Sequence, residues 1–448
     1  MMQRDDNQAL EAFRTAAEKE TGPERRRFYL QLESQALSDA LRRGGPEWPY
    51  AELYTCTADD LAAMNVLGIL SGAHNRLDRI PITEHSRQRV HLVIFGAGAA
   101  AQSLAVHAAL VAHYPNYIHD HSLRTRITMV SDRISDFLSF RERYRTLLEH
   151  CHRREVYAAG MMPECHSEKP MYTDFREDFT DIEWEFVEAD ATSRVLNFKL
   201  EKWAEDSDGQ LLTLAFCYED ESRNLDAALS ISDGLEDTPF WIRSTRGTTA
   251  IDFLRAGNAR KLVSFEAPTQ LPDFAVLGMY VHFAYSTVRK KDNTLIPANE
   301  CPPADALASY WKDLDVAKRW SNIYNAFTLS TKLRSVGIPE ERWDTLFTLD
   351  AHCVSVLAEV EHNRWCIEEL ILGFTPLTEA ERKDLRKDPS LRNDLKERRH
   401  HPDLAAYSEL GRDGARAVTD YDFAVTRALP LLAYSYKTMY QKEETSHV

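Results

Sequence analysis

The sequence predicts an α/β protein built on a doubly wound parallel sheet, with a helical N-terminal module before it and an α-helical domain after it. Three observations carry this expectation. From Arg89 to about residue 270, short β-branched and apolar runs alternate with helical stretches, the pattern of a parallel sheet covered on both faces. The first of these runs, "RVHLVIFGAG", ends in glycines and passes directly into the alanine-rich "AAAQSLAVHAALVAHY". Beyond about residue 275, strand patterning gives way to apolar residues at helical spacing.

The 448 residues suit two or three domains, and 44% hydrophobic content is enough to bury substantial cores. A net charge of −16 opposes general attraction to nucleic acid or to an anionic membrane, while leaving room for a small anion held by local donors. The seven cysteines, at 56, 151, 165, 217, 301, 353 and 366, are scattered without a CxxC pair, which fits reduced thiols. No secretory leader is evident, and the apolar run "LAAMNVLGILSGA" is too short to span a bilayer. The expectation is a cytoplasmic protein without direct membrane insertion.

Taken in order, residues 1–88 read as an amphipathic helical module, broken at "RRGGPEWP" (42–49). Residues 89–270 carry strands expected at 89–98, 126–132, 182–190, 211–220, 239–245 and 261–267. Helices are expected between them, around 134–150, 193–204, 221–231 and 247–256. The stretch 151–181 reads as an irregular surface insertion. Residues 271–345 form a helical connector and 346–440 a helical domain, in which "EERWDTLFTLDAHCVSVLAEVEHNRWCIEELILGF" and "DYDFAVTRALPLLAYSYKTMY" are long helices.

The strand-to-helix junction "VIFGAGAAAQS" carries G-x-G-x-x-A as Gly96, Gly98 and Ala101. Gly96 permits a tight turn, Gly98 lets backbone approach a phosphate, and Ala101 allows close helix packing, the logic of a Rossmann dinucleotide site. The backbone of Ala97 and Ala99, at the start of the helix, would help to hold a diphosphate. Asp132 ends the second strand and is placed to accept the hydroxyls of an adenine-linked ribose. It lies 34 residues past Gly98 because the loop "YPNYIHDHSLRT" intervenes. Arg133 beside it could instead meet a 2′-phosphate, so NAD and NADP both stay open.

Wound at 100° per residue, 346–372 places Leu346, Cys353, Val360, Ile367 and Ile371 on one stripe. Arg364 falls in that stripe with Glu361 and Glu368 on its margin, and a buried arginine has to be paired. On the opposite margin His362, Trp365 and Glu369 line up as a platform for a flat heterocycle or a cation.

These residues also carry family likenesses. "LAEVEHNRW…LILGF", "HPDLAAYSEL" and "RALPLL" resemble the ryanodine-receptor (RyR) domain of bacterial proteins over roughly 352–436. The glycine segment, with "CYEDESRNLDAAL", looks like a TrkA-N-type NAD-binding domain over roughly 89–270. The resemblance implies Gly96, Gly98, Ala101, Asp132 and Asp220 as nucleotide-site positions. It implies Glu361, His362, Arg364, Trp365, His401, Pro402 and Tyr407 as positions of a ligand-recognition module.

The function expected is therefore a nucleotide sensor: NAD or a related adenine nucleotide at the glycine loop, and a second ligand or partner at the helical module. Family company suggests nucleotide signalling, with antiviral defence as one setting. Two alternatives stay open, an NAD(P)-dependent oxidoreductase and a regulatory subunit of an ion transporter. No catalytic constellation is visible, and a homo-oligomer is expected because exposed faces of such domains pair. No metal centre is expected either. His150, Cys151, His152, Cys165 and His166 fit no standard ligand spacing, and neither does "HDH" at 119–121.

Overall fold

The computed structural model describes the chain except residues 1–4, 23–24, 70–76, 158–163, 173–175, 206–208, 232–234, 236, 246–248, 258–261, 269–272, 291–303, 346, 411–418 and 447–448. It opens with helix α1 (Asp6–Ala17), strand β1 (Arg26–Leu32), helix α2 (Gln35–Gly44), strand β2 (Ala51–Thr57) and helix α3 (Ala58–Val66). β1 and β2 pair in parallel across α2, so the N-terminal segment is an α/β unit and not the helical module expected. The reason lies in "FYL" at 28–30, which has no polar spacer to reveal a period of two. Phe28 and Leu30 pack towards Phe13 and Trp48, whereas Tyr29 faces the other way and stacks on Tyr54 at 5.2 Å. Both sides of the strand find apolar cover.

The large sheet is built from β3 (Arg89–Phe95), β4 (Thr125–Ser131), β5 (His152–Tyr157), β6 (Glu164–Glu168), β7 (Ile182–Glu188), β8 (Gln210–Phe216), β9 (Phe240–Arg243) and β10 (Leu262–Phe265). Between these strands run α4 (Ala99–Val111), α5 (Leu138–Arg143), α6 (Arg145–Glu149), α7 (Arg194–Glu205), α8 (Glu221–Ser230) and α9 (Thr249–Gly257). The strand order is β10-β9-β8-β3-β4-β7-β5-β6, with every pairing parallel except β5 with β6. All six expected strands are present. Residues 151–181 are not the irregular insertion expected, because β5 extends the sheet beside β7 and β6 folds back on it. Charged "HRREVY" and "ECHSE" carry no strand-like apolar run; they are the last two strands at one end of the sheet, where little core is left to face.

β3 shows why the sheet needs two covered faces. Val90, Leu92 and Ile94 join the core formed with α3 and α4, while Val93 and Phe95 join a second core with α7, α8 and α9. Numbered along the chain, the strands from β7 through β4, β3, β8 and β9 to β10 run 3-2-1-4-5-6, the Rossmann order. The direction in which successive strands are added reverses between β3 and β8, and a ligand crevice belongs outside their carboxyl ends.

The remainder is helical: α10 (Ala275–Lys290), α11 (Ala304–Trp311), α12 (Val316–Phe327), α13 (Leu329–Ser335), α14 (Ala351–Ile371), α15 (Glu379–Lys387), α16 (Arg392–Glu397) and α17 (Thr419–Ser446). Two-residue strands β11 (Thr375–Pro376) and β12 (His400–His401) pair in parallel beside α14. α14 starts later than expected because Asp350 caps it, accepting from the Cys353 amide at 2.8 Å; Leu346 lies outside the described residues. The core below α4 continues into Trp320 and Ile323 of α12 and into Cys366, Ile367 and Leu370 of α14. Among the described residues, no helix is long and apolar enough to cross a membrane.

Candidate functional site

The glycine loop occupies the crevice that the strand order defines. Gly96 has φ +119°, and a Cβ there would lie 2.6 Å from the Cys217 carbonyl oxygen at the end of β8. Its amide donates to the Val130 carbonyl at 2.8 Å, so the turn is held from both neighbouring strands. Gly98 is the N-cap of α4 and makes no side-chain cap, which leaves the first turn open to an anion. Gln102 donates from Nε2 to the Ala97 carbonyl at 2.9 Å and pins the loop from inside. Ala101 is fully buried behind it.

Around the loop lies a cleft of about 840 Å³. Gly96, Ala97, Gly98, Ala99, Asp132, Arg133 and Asp220 all line it, while Ala101 supports it from behind. Three of these side chains already have partners within the protein. Asp132 is not a free ribose acceptor: Arg223 donates to both of its carboxylate oxygens at 2.9 and 2.8 Å. The same guanidinium lies 3.9 Å from the centre of the Tyr218 ring and 3.6 Å from Asp190. A ribose would therefore meet an Asp132–Arg223 pair. Asp220 caps α8, accepting from the Ser222 amide at 3.0 Å and from its hydroxyl at 2.7 Å. Arg133 is exposed and pairs with Asp136 at 3.0 Å.

The most consequential side chain was not anticipated. A Cβ on Gly98 would touch Cγ and Oε1 of Glu219, each at 3.0 Å. A carboxylate thus lies against the N-terminal end of α4, where it would compete with an anion bound there. Removing that charge with Glu219→Gln is expected to tighten binding of an anionic nucleotide by about 5-fold at low salt, since two charges some ~5 Å apart in water-like surroundings repel by about 1 kcal/mol. Calorimetric titration of both proteins at two salt concentrations reads the effect. Equal affinities at low salt would mean that Glu219 swings away without influence.

A second cavity, of about 630 Å³, lies between α10, α12, α14 and α17. Its floor is a buried charge network. Arg364 is 1% exposed and donates to Glu361 at 2.9 and 3.0 Å and to Glu368 at 2.8 Å. Lys332 also donates to Glu361, at the Oε2 that accepts from Arg364 Nε, and Ser321 donates to Glu368 at 3.0 Å. Burial opposes charge on Glu361, but Arg364 and Lys332 outweigh it and bring its pKa down to about 2.

The wall of this cavity gathers Trp365, Glu369, His362 and His401. The Trp365 and His401 rings meet edge-to-face at 4.8 Å. Burial, with Glu368 close by, pushes the Glu369 carboxyl up to about 8, so at neutral pH it is largely a hydrogen-bond donor. Burial together with Lys396 and Arg392 holds His401 down to about 2, and it stays neutral. His362 goes the other way. Burial disfavours its charge, but the Cys366 sulfur and Asp422 outweigh burial and raise it. Its Nε2 donates to the Ala405 carbonyl at 2.9 Å. Asp422 Oδ2 lies 3.6 Å from His362 Nδ1, and Asn325 Oδ1 is buried without a hydrogen-bond partner among the described residues. Asn325 and Asp422 both line this cavity.

Glu361, His362, Arg364, Trp365, Glu369 and His401 are thus brought together as expected. Tyr407 is not in the wall; its ring packs on His362 at 5.5 Å. Sequence reasoning missed Lys318, Asn325, Lys396 and Asp422, which come from helices too distant in sequence for any spacing to connect. A small enclosed cavity of about 60 Å³ lies between the two sites. Gln35 and Gln102 line both it and the glycine-loop cleft, while Ala317, Glu368 and Leu372 line both it and the helical cavity.

No protein-family model matches this chain, and no curated protein matches it. Among solved structures, yersinopine dehydrogenase in its apo form aligns with 77% of this chain and 99% of its own at 11% identity and a TM-score of 0.14, too slight a likeness to bear on fold or activity.

Proposed function

We propose that the protein is a nucleotide-binding regulator that holds NAD(H) or a related adenine nucleotide at the glycine loop and a second ligand in the helical cavity. The observation that carries the reading is the position of Gly96–Gly98 at the point where the strand order of a 3-2-1-4-5-6 sheet reverses, beside an open cleft. The TrkA-N and RyR likenesses of the sequence point the same way. Regulation would be differential binding between conformations: side chains shared with the small central cavity make each site sensitive to packing at the other.

Calorimetric titration with NAD, NADH, NADP, ATP and ADP-ribose tests it, with wild type run beside Gly98→Asp and Trp365→Ala. Asp is a favoured N-cap, so Gly98→Asp keeps α4 while setting a second carboxylate beside Glu219. It is expected to abolish nucleotide binding, and Trp365→Ala is expected to retain it. Failure of the folded wild type, freed of carried-over ligand, to bind any of the five would overturn the reading.

A further inference from the structure

Outside both cavities, three metal-ligating side chains, Glu84, His85 and His119, converge on one point of the surface, and a fourth, His352, is hydrogen-bonded to Glu84. The turn 83–86, closed by Ser86 N to Thr83 O at 3.0 Å, presents Glu84 and His85 at its centre. His119 follows the short helix Pro115–Ile118, and His352 is the second residue of α14. One ligand atom each from Glu84, His85 and His119 lie within 4.8 Å of one another. Glu84 Oε2 is 3.2 Å from His119 Nε2, and Glu84 Oε1 is 3.8 Å from His85 Nε2 and 2.6 Å from His352 Nε2.

We propose that Glu84, His85 and His119 bind one divalent transition-metal ion of the zinc class, with His352 turning in from its bond to Glu84 as the fourth ligand. Donor atoms bound tetrahedrally at about 2.0–2.1 Å are about 3.3–3.4 Å apart. His119 Nε2 is already near that spacing from Glu84 Oε2 and His85 Nε2 somewhat beyond it from Oε1, while His352 has to leave its bond to Oε1 and swing its exposed side chain towards the other two histidines. Hydrogen bonding alone accounts for the cluster poorly. One carboxylate serves His119 and His352, while His85 is beyond hydrogen-bond reach and still stands face-to-face with His119, rings 5.9 Å apart and 19° from parallel. A cation at the centre uses all four donors at once. Four protein ligands complete a tetrahedron and leave no position for a reactive water, so the ion's role is to fasten 83–86 and the 119 loop to α14. Sequence spacing gives no hint of it, because Glu84 and His352 are 268 positions apart. The proposal is independent of the nucleotide reading.

The test uses the full-length chain without an affinity tag, stripped with chelator and titrated with Zn2+, with Co2+ as a spectroscopic probe. Wild type is expected to retain one equivalent of Zn2+, to gain several degrees in Tm, and to give the visible absorption of tetrahedral Co2+. His119→Ala and His352→Ala should each weaken binding at least ~10-fold. Both side chains are well exposed, at 55% and 66%, so neither replacement threatens the fold, and circular dichroism checks this. Less than one equivalent bound by wild type, or both variants binding as wild type does, would overturn the assignment.

Discussion

Replacing Arg364 with methionine is expected to destabilise the protein by about 3–5 kcal/mol at pH 7, the usual loss when one member of a buried ion pair is removed. The methionine stem refills much of the arginine's volume, so packing is not the main term. What changes is charge. Glu361 keeps Lys332, but Glu368 is left with only the Ser321 hydroxyl. Burial already raises Glu368 from its ordinary value of 4.5 with the guanidinium in place, and without it the carboxyl will hold its proton further up the pH scale. The sign follows from linkage. Above the unfolded pKa the native state then binds more protons than the unfolded state, so stability falls as pH rises. The deficit of Arg364→Met should therefore be smallest near pH 4.5 and grow towards neutrality. Urea unfolding of both proteins at a series of pH values measures it. Arg364→Lys should fall between them, since ammonium restores the charge without the guanidinium's planar fork. A deficit below about 1 kcal/mol that is flat with pH would mean that the apolar stripe alone holds α14.

That network was legible in the sequence for a simple reason. An arginine three residues after one glutamate and four before another, on a core stripe, has a single inexpensive solution, and one helix contains all of it. The glycine loop was legible on similar grounds, as strand, turn and helix are contiguous. Relations between distant segments were not. Arg223 takes Asp132 across 91 positions, and Glu219 reaches Gly98 from the loop between β8 and α8. Each is fixed by sheet order, which no local period encodes. β1 and β5 escaped for different causes: the first packs apolar residues on both sides, and the second is a charged strand whose place is set by backbone pairing with β7 on one side and β6 on the other. In the helical cavity, α14's contribution was visible and the facing residues were not. The platform of His362, Trp365 and Glu369 could be listed, while the protonation that makes Glu369 a donor depends on burial by other elements.

The two glycines of the loop are expected to respond very differently to the same substitution. Gly98 has φ −73°, open to any residue, and an added methyl would meet only the flexible end of Glu219. Gly98→Ala should change stability by less than about 1 kcal/mol, its effect appearing in nucleotide affinity as the carboxylate is displaced. Gly96 has no such freedom. Its φ of +119° is strained for a residue with a Cβ, and the methyl would sit 2.6 Å from the Cys217 carbonyl oxygen and 2.9 Å from its carbon, both backbone atoms of the residue that follows β8. Relief requires either parting β3 from β8 or breaking the Gly96 amide bond to Val130. Backbone strain of about 1–3 kcal/mol and overpacking of a similar ~1–3 kcal/mol put the loss for Gly96→Ala at roughly 2–6 kcal/mol. Because the distortion falls where a diphosphate would lie, nucleotide affinity should fall with it even in conditions where the variant stays folded. Urea unfolding and calorimetry on the pair separate the two roles: Gly96 shapes the crevice and Gly98 opens it. Equal losses of stability from both substitutions would contradict that division, and would point to the loop as a turn whose glycines serve only chain reversal.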